Sequence, residues 1–114
     1  MHRYAYRHLR VRAEGDAVTV RLRDRALDDR NAEAVGEELL HLVAELYRPR
    51  LRLDLAGVTR LSSTGLGKLL VLLKRVRAAG GQLAVDNAEP AVYEVFQVTR
   101  LVPVLDVRPR AQAG

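Results

Sequence analysis

The chain has 114 residues, enough for one domain with a core of its own. Hydrophobic residues make up 48% and charged residues 29%, a globular balance that argues against a disordered chain. Lys and Arg total 19 against 14 Asp and Glu, a formal net charge of +5, and the absence of Cys excludes disulfides, thiolate zinc sites and cysteine nucleophiles.

Residues 1–8 carry charges with no apolar stretch behind them. They read as a flexible N-terminal segment, not a secretory signal. No later run approaches the ~18 apolar residues of a membrane span, so a cytoplasmic protein without membrane insertion is expected. Leu9, Val11 and Ala13 then alternate with Arg10, Arg12 and Glu14. After the turn signal Gly15-Asp16, Val18, Val20 and Leu22 alternate with Thr19, Arg21 and Arg23. Two period-two runs across a short Gly-containing link predict a β-hairpin.

The period changes next. Asp28-Asp29-Arg30-Asn31 offers capping residues and first-turn acids, and Val35, Leu39, Leu42 and Leu46 lie on one helical face. Pro49 ends that helix, and Leu51, Leu53 and Leu55 alternate with Arg52 and Asp54 as a third strand. A loop over 56–62 leads into the most apolar helix, with Leu66, Leu69, Leu70, Leu73 and Val76 as its core stripe. Gly80-Gly81 stops it, because glycine takes the left-handed conformation cheaply. A strand over 82–86 and a helix from Pro90 to about Thr99 follow. A last strand is expected over 104–107, and 108–114 read as a frayed tail. The order is a hairpin followed by βαβαβ units, which predicts an α/β domain over 9–107 with a mixed sheet. Most strands alternate instead of running continuously apolar, so helices are expected on one face only. The open face would carry Arg10, Arg12, Thr19, Arg21, Arg23, Arg52 and Asp54.

Enzyme chemistry finds little support. Gly65-Leu66-Gly67-Lys68 lacks the upstream Gly and the following Ser or Thr of a phosphate-binding loop, and Leu70 stands where a dinucleotide fingerprint needs its third Gly. Ser62 and Ser63 have no nearby base and no nucleophile elbow. His2, His8 and His41 are distant from them in sequence, and His41 reads as a surface residue. Asp28-Asp29 and Glu37-Glu38 read as a helix start and a solvated face, not as acid–base pairs. No catalytic residue, metal site or cofactor is expected. The distinctive feature is the run Ser62-Ser63-Thr64 at a helix start. Capping is the bland reading; a regulatory phosphorylation site is the sharper one, since free amides and the helix dipole favour an anion there.

These residues resemble a known family. Leu53-Asp54-Leu55-Ala56-Gly57-Val58, Ser62-Ser63-Thr64-Gly65-Leu66-Gly67, Lys74-Arg75 and Ala78-Ala79-Gly80-Gly81-Gln82-Leu83 are similar to the STAS domain, above all to single-domain bacterial anti-sigma factor antagonists. Leu27-Asp28 fits that family's loop before the first helix, and residues 94–101 fit its third helix and exit. The resemblance implies a mixed sheet with helices on one side. It also implies a partner switch controlled by phosphorylation. The unmodified protein binds an anti-sigma factor that is also a serine/threonine kinase; the phosphorylated form lets go, and a metal-dependent phosphatase resets it. Family members commonly add a fourth C-terminal helix, which Pro109 argues against here. Alignment on Gly65 places Ser62 at the family's usual Asp and Thr64 at the acceptor, with Ser63 next. The implied contact surface comprises Asp28, Ser62, Ser63, Thr64, Gly65, Gly67, Lys68 and Val71, with Val71 and Leu72 outside the main stripe.

Two other readings stay open. One keeps the fold without the switch, as an accessory subunit of a transporter or signalling complex. The other is nucleic-acid binding through the Arg-rich sheet face, disfavoured by an aromatic content of 4% and by the absence of a helix-turn-helix pattern.

Overall fold

A computed structural model describes residues 5–111. A five-stranded mixed sheet forms its centre. Strands β1 (Leu9–Glu14) and β2 (Ala17–Leu22) form the expected antiparallel hairpin across Gly15-Asp16, where Gly15 has φ +62°. Strand β3 (Ala26–Leu27) leads to helix α1 (Ala32–Ala44), and strand β4 (Arg50–Asp54) runs parallel to β2. Strand β5 (Arg60–Leu61) precedes helix α2 (Ser63–Ala78). Strand β6 (Gln82–Ala88) pairs parallel with β4. Helix α3 (Pro90–Val98) and strand β7 (Val107–Pro109), parallel to β6, complete the order.

The alternation sets the layers. Val20, Leu22, Leu51, Leu53, Leu83 and Val85 point into the core, while Arg21, Arg50 and Gln82 face solvent and Arg52 is half-exposed. The three helices pack on the apolar face, with Val35, Leu39, Leu69, Leu72, Val92 and Phe96 buried against it. The other face is open and polar, as the alternation predicts. Helix α2 stops as expected: Gly80, at φ +76°, donates its N–H to Arg77 C=O, and Gly81 N–H reaches Val76 C=O.

Several expectations need correction. The loop over 56–62 is not irregular throughout: Arg60–Leu61 pairs in parallel with Ala26–Leu27 as a separate two-stranded ribbon. The last strand is Val107–Pro109, not 104–107, because residues 102–106 turn and Val107 N–H closes on Val102 C=O. Residues 108–110 are therefore held in place; Arg110 donates its N–H to Ala88 C=O and its guanidinium to Glu89. Residues 112–114 lie outside the described residues, as do residues 1–4 of the expected flexible segment. The rest of that segment is tied down, since Arg7 and His8 each donate a backbone N–H to the Glu38 carboxylate at 2.9 Å. Glu38 is thus buried, not solvated. His41 is half-buried and packs edge-on against Tyr6, with ring centroids 6.2 Å apart. In α2 the stripe is rotated from the expected one. Leu72 is buried and belongs to the core, and Leu70 is half-buried at its margin.

Candidate functional site

The candidate surface is built where the β3–β5 ribbon delivers the chain into α1 and α2. On the α1 side, Asn31 is the hinge of a tight turn. Its Oδ1 accepts the Asp28 N–H at 2.9 Å, and its Nδ2 donates to Asp24 at 2.8 Å and to Ala26 C=O at 2.7 Å. Asn31 stands at the N-cap position, yet its side chain does not cap the helix; Asp28 C=O accepts the Ala32 N–H instead. The Asp28 carboxylate accepts the Arg30 N–H at 3.0 Å and the Arg60 guanidinium at 3.1 Å. Those two partners, the backbone amide foremost, hold the Asp28 carboxyl below the usual carboxylate range. Asp28 therefore stays ionised beside the second loop.

On the α2 side, Ser62 is an N-cap in extended backbone, with φ −87° and ψ 169°. Its Oγ accepts the Gly65 N–H at 3.1 Å, its C=O accepts the Leu66 N–H, and its N–H donates to Leu27 C=O. The same hydroxyl donates to Asp29 at 3.3 Å. Asp29 therefore brings a carboxylate from the neighbouring loop to the Ser62 hydroxyl. Gly65 fixes how closely the two loops approach. A Cβ there would lie 2.5 Å from Leu27 O and 2.8 Å from Leu27 Cγ. Only glycine fits that contact.

Ser63 and Thr64 occupy the first two helical positions and are exposed. Neither hydroxyl has a hydrogen-bond partner among the described residues. Their position leaves first-turn amides and the positive end of the helix dipole beside them. Lys68 lies one turn beyond Thr64 on the same side of the helix. Its Nζ donates to Glu33 of α1 at 3.0 Å, and its stem runs over Gly36, where a Cβ would come within 3.1 Å of Lys68 Cδ. Gly67 and Val71 are exposed on the outer side of α2.

The structure thus brings Asp28, Ser62, Ser63, Thr64, Gly67, Lys68 and Val71 onto one continuous region around the two helix starts. Gly65 is the exception. It is buried beneath that region and spaces the loops. In the sequence Asp29 reads only as a helix-start acid, and Glu33, Gly36 and Arg60 carry no signal. Their roles depend on partners more than 30 residues away, which no local pattern encodes. Among the described residues, no group of three His, Asp or Glu side chains could hold a metal ion, and no helix is long and apolar enough to cross a membrane.

Comparison with known proteins decides the family. The STAS domain model matches residues 8–113. The chain belongs to the STAS domain family. The matched stretch takes in all seven strands and three helices. This STAS domain is 28% identical to the anti-sigma-B factor antagonist of Bacillus subtilis over 88 residues, covering 77% of this chain and 79% of that protein. Its fold is similar to that of an anti-sigma-factor antagonist (STAS) domain protein from Planctomyces limnophilus, with a TM-score of 0.79, 22% identity and coverage of 91% of each chain. It is also similar to the Bacillus cell fate determinant SpoIIAA in the phosphorylated form, with a TM-score of 0.65, 18% identity and coverage of 91% of this chain and 92% of that one.

Proposed function

We propose that this protein is an anti-sigma factor antagonist that works as a phosphorylation-controlled partner switch. The observation that carries the proposal is the pair of free hydroxyls on Ser63 and Thr64, exposed at the capped start of α2 inside a fully tied frame. The family relationship and the antagonist name of the Bacillus subtilis relative support the same reading.

The mechanism follows from charge and rigidity. The unmodified surface presents two neutral hydroxyls between the Asp28–Asp29 loop and the outer side of α2. It binds an anti-sigma factor that is also a serine/threonine kinase. Transfer of a phosphoryl group to Thr64 adds about −1.5 to −2 charge at neutral pH. The helix start tolerates that charge, because free amides and the dipole face it. The fold therefore does not have to open. What changes is the contact surface, where a dianion now stands near Asp28, Asp29 and Glu33. A partner that matched the neutral surface meets repulsion and a desolvation cost, and it dissociates. A metal-dependent phosphatase restores the neutral surface. In this scheme the protein is a substrate and a binding partner in the cytoplasm, not an enzyme.

Incubation with ATP and the cognate anti-sigma factor kinase tests the assignment. Labelling of the wild type and loss of label in Thr64→Ala are expected, read by intact-protein mass. Equal labelling of both would move the acceptor to Ser63 or elsewhere, and no labelling of either would remove the switch.

A further inference from the structure

We infer that the β1–β2 edge of the sheet holds a second binding site, distinct from the switch surface, for a compact polyanion of the pyrophosphate or triphosphate type. The inference does not rest on the proposed switch. A cleft of about 440 Å³ lies there, lined by Arg10, Arg21, Arg23 and Arg25 together with Leu22, Asp24, Ala56 and Gly57. That volume suits a small ligand.

The charge in this cleft is uncompensated. Arg10 and Arg21 are direct cross-strand partners, an arrangement in which like charges destabilise a hairpin. None of the four guanidiniums has an ion-pair partner among the described residues. The one carboxylate in the lining, Asp24, is already engaged. It lies 2.9 Å from His8 Nδ1 and accepts from Asn31 Nδ2 at 2.8 Å. Elsewhere on the open face Arg12 is also without an ion pair among the described residues, but the arginines of the later strands are matched. Arg50 pairs with Asp16 at 2.7 Å, Arg52 with Asp86 at 2.8 Å, and Arg108 with Asp106 at 4.0 Å. The unpaired positive charge on the face is therefore gathered on β1, β2 and the segment that follows β2.

The form of the site selects its ligand class. Guanidinium forks match phosphate oxygens two at a time, and several forks around one cleft favour a ligand with several phosphate oxygens close together. The lining contains no aromatic ring on which a nucleic-acid base could stack. Pairing of the arginines farther along the sheet also removes the extended basic track that a nucleic-acid backbone needs. A short phosphate chain fits both constraints. The small residues matter as well: Gly57, at φ +87°, has open space where a Cβ would stand.

Titration with sodium tripolyphosphate at 150 mM NaCl tests this, followed through the Arg Nε–Hε resonances by NMR. Saturable shifts confined to the cleft arginines are expected, with affinity falling at least tenfold in Arg10→Ala and Arg23→Ala. Arg12→Ala, on the same face but outside the cleft, should bind within about twofold of the wild type. ATP carries the same phosphate chain on an organic group and should match tripolyphosphate within about threefold. Absence of saturation at millimolar tripolyphosphate would overturn the inference. So would equal weakening by Arg12→Ala, which would mean diffuse attraction, or tighter binding of duplex DNA that Arg12→Ala also weakens. Thermal melts of each variant establish that it is folded.

Discussion

The two polar regions of this domain are built in opposite ways. Around the start of α2, nearly every polar group is tied: Ser62 to Gly65 and Asp29, Asp28 to Arg30 and Arg60, Asn31 to Asp24 and Ala26. Ser63 and Thr64 are the groups left over, and they are uncharged. At the β1–β2 edge, four arginines crowd one cleft whose one carboxylate, Asp24, is already engaged by His8 and Asn31. The first region is a rigid frame waiting for charge to be added. The second already holds charge that lacks its counterpart. A modification suits the first, and a diffusible anion suits the second. The basic composition of the whole chain hides this division, because Arg50, Arg52 and Arg108 are paired elsewhere on the sheet.

The rigidity of the first region can be broken most directly at its spacer. Gly65→Ala forces a methyl group against the Leu27 backbone, and a loss of about 3 kcal/mol is expected in urea denaturation. Gly67→Ala, two residues on in the same helix, meets nothing within 4 Å and should stabilise by about 0.5–1 kcal/mol. Opposite signs at two glycines of one helix would show that the frame, and not helix propensity, makes Gly65 special. Glu38→Ala should cost about 2 kcal/mol by leaving the Arg7 and His8 amides without an acceptor. Glu38→Gln keeps one oxygen and should cost less.

The smallest effect concerns pH. The Asp28 carboxyl is held below its ordinary value by Arg30 N–H and Arg60, and the Glu89 carboxyl likewise by Gly57 N–H and Arg110. A depressed carboxyl contributes stability that is present above its unfolded pKa and lost as pH falls through the folded one. Acid should therefore weaken the fold slightly below about pH 4–5, the range of unfolded carboxyls. Asp28→Asn should flatten that part of the profile, measured as Tm against pH. A profile of unchanged slope would show that the Asp28 turn adds nothing to the frame.

Much of the fold is legible in the sequence because long elements carry a period. The hairpin, α1, β4 and α2 fall where alternation or helical spacing places them, and α3 starts at Pro90, a residue suited to a first helical turn. Two-residue strands carry no period, so Ala26–Leu27 and Arg60–Leu61 read as loop, although their pairing positions the whole candidate site. The shift of the last strand to Val107–Pro109 has the same cause, since Pro109 reads as a breaker when it is in fact an edge residue. Leu72 lies outside the stripe that spacing predicts because α2 packs against both α1 and β6, which widens and rotates its buried face. Glu38 looks like any helix glutamate until the segment before β1 folds across it. At the site, Ser62 and Thr64 were visible from their place before a leucine-rich helix. Asp29, Arg60 and Glu33 were not, because their meaning lies in contacts across the two loops.

The most direct test of the switch is an affinity comparison. The cognate anti-sigma factor kinase would be titrated with the unmodified protein and with protein carrying phosphothreonine at position 64, both checked for folding by circular dichroism. Retained fold and a Kd at least tenfold weaker for the phosphorylated form are expected, which corresponds to about 1.4 kcal/mol or more. Equal affinity of the two folded forms would contradict the switch.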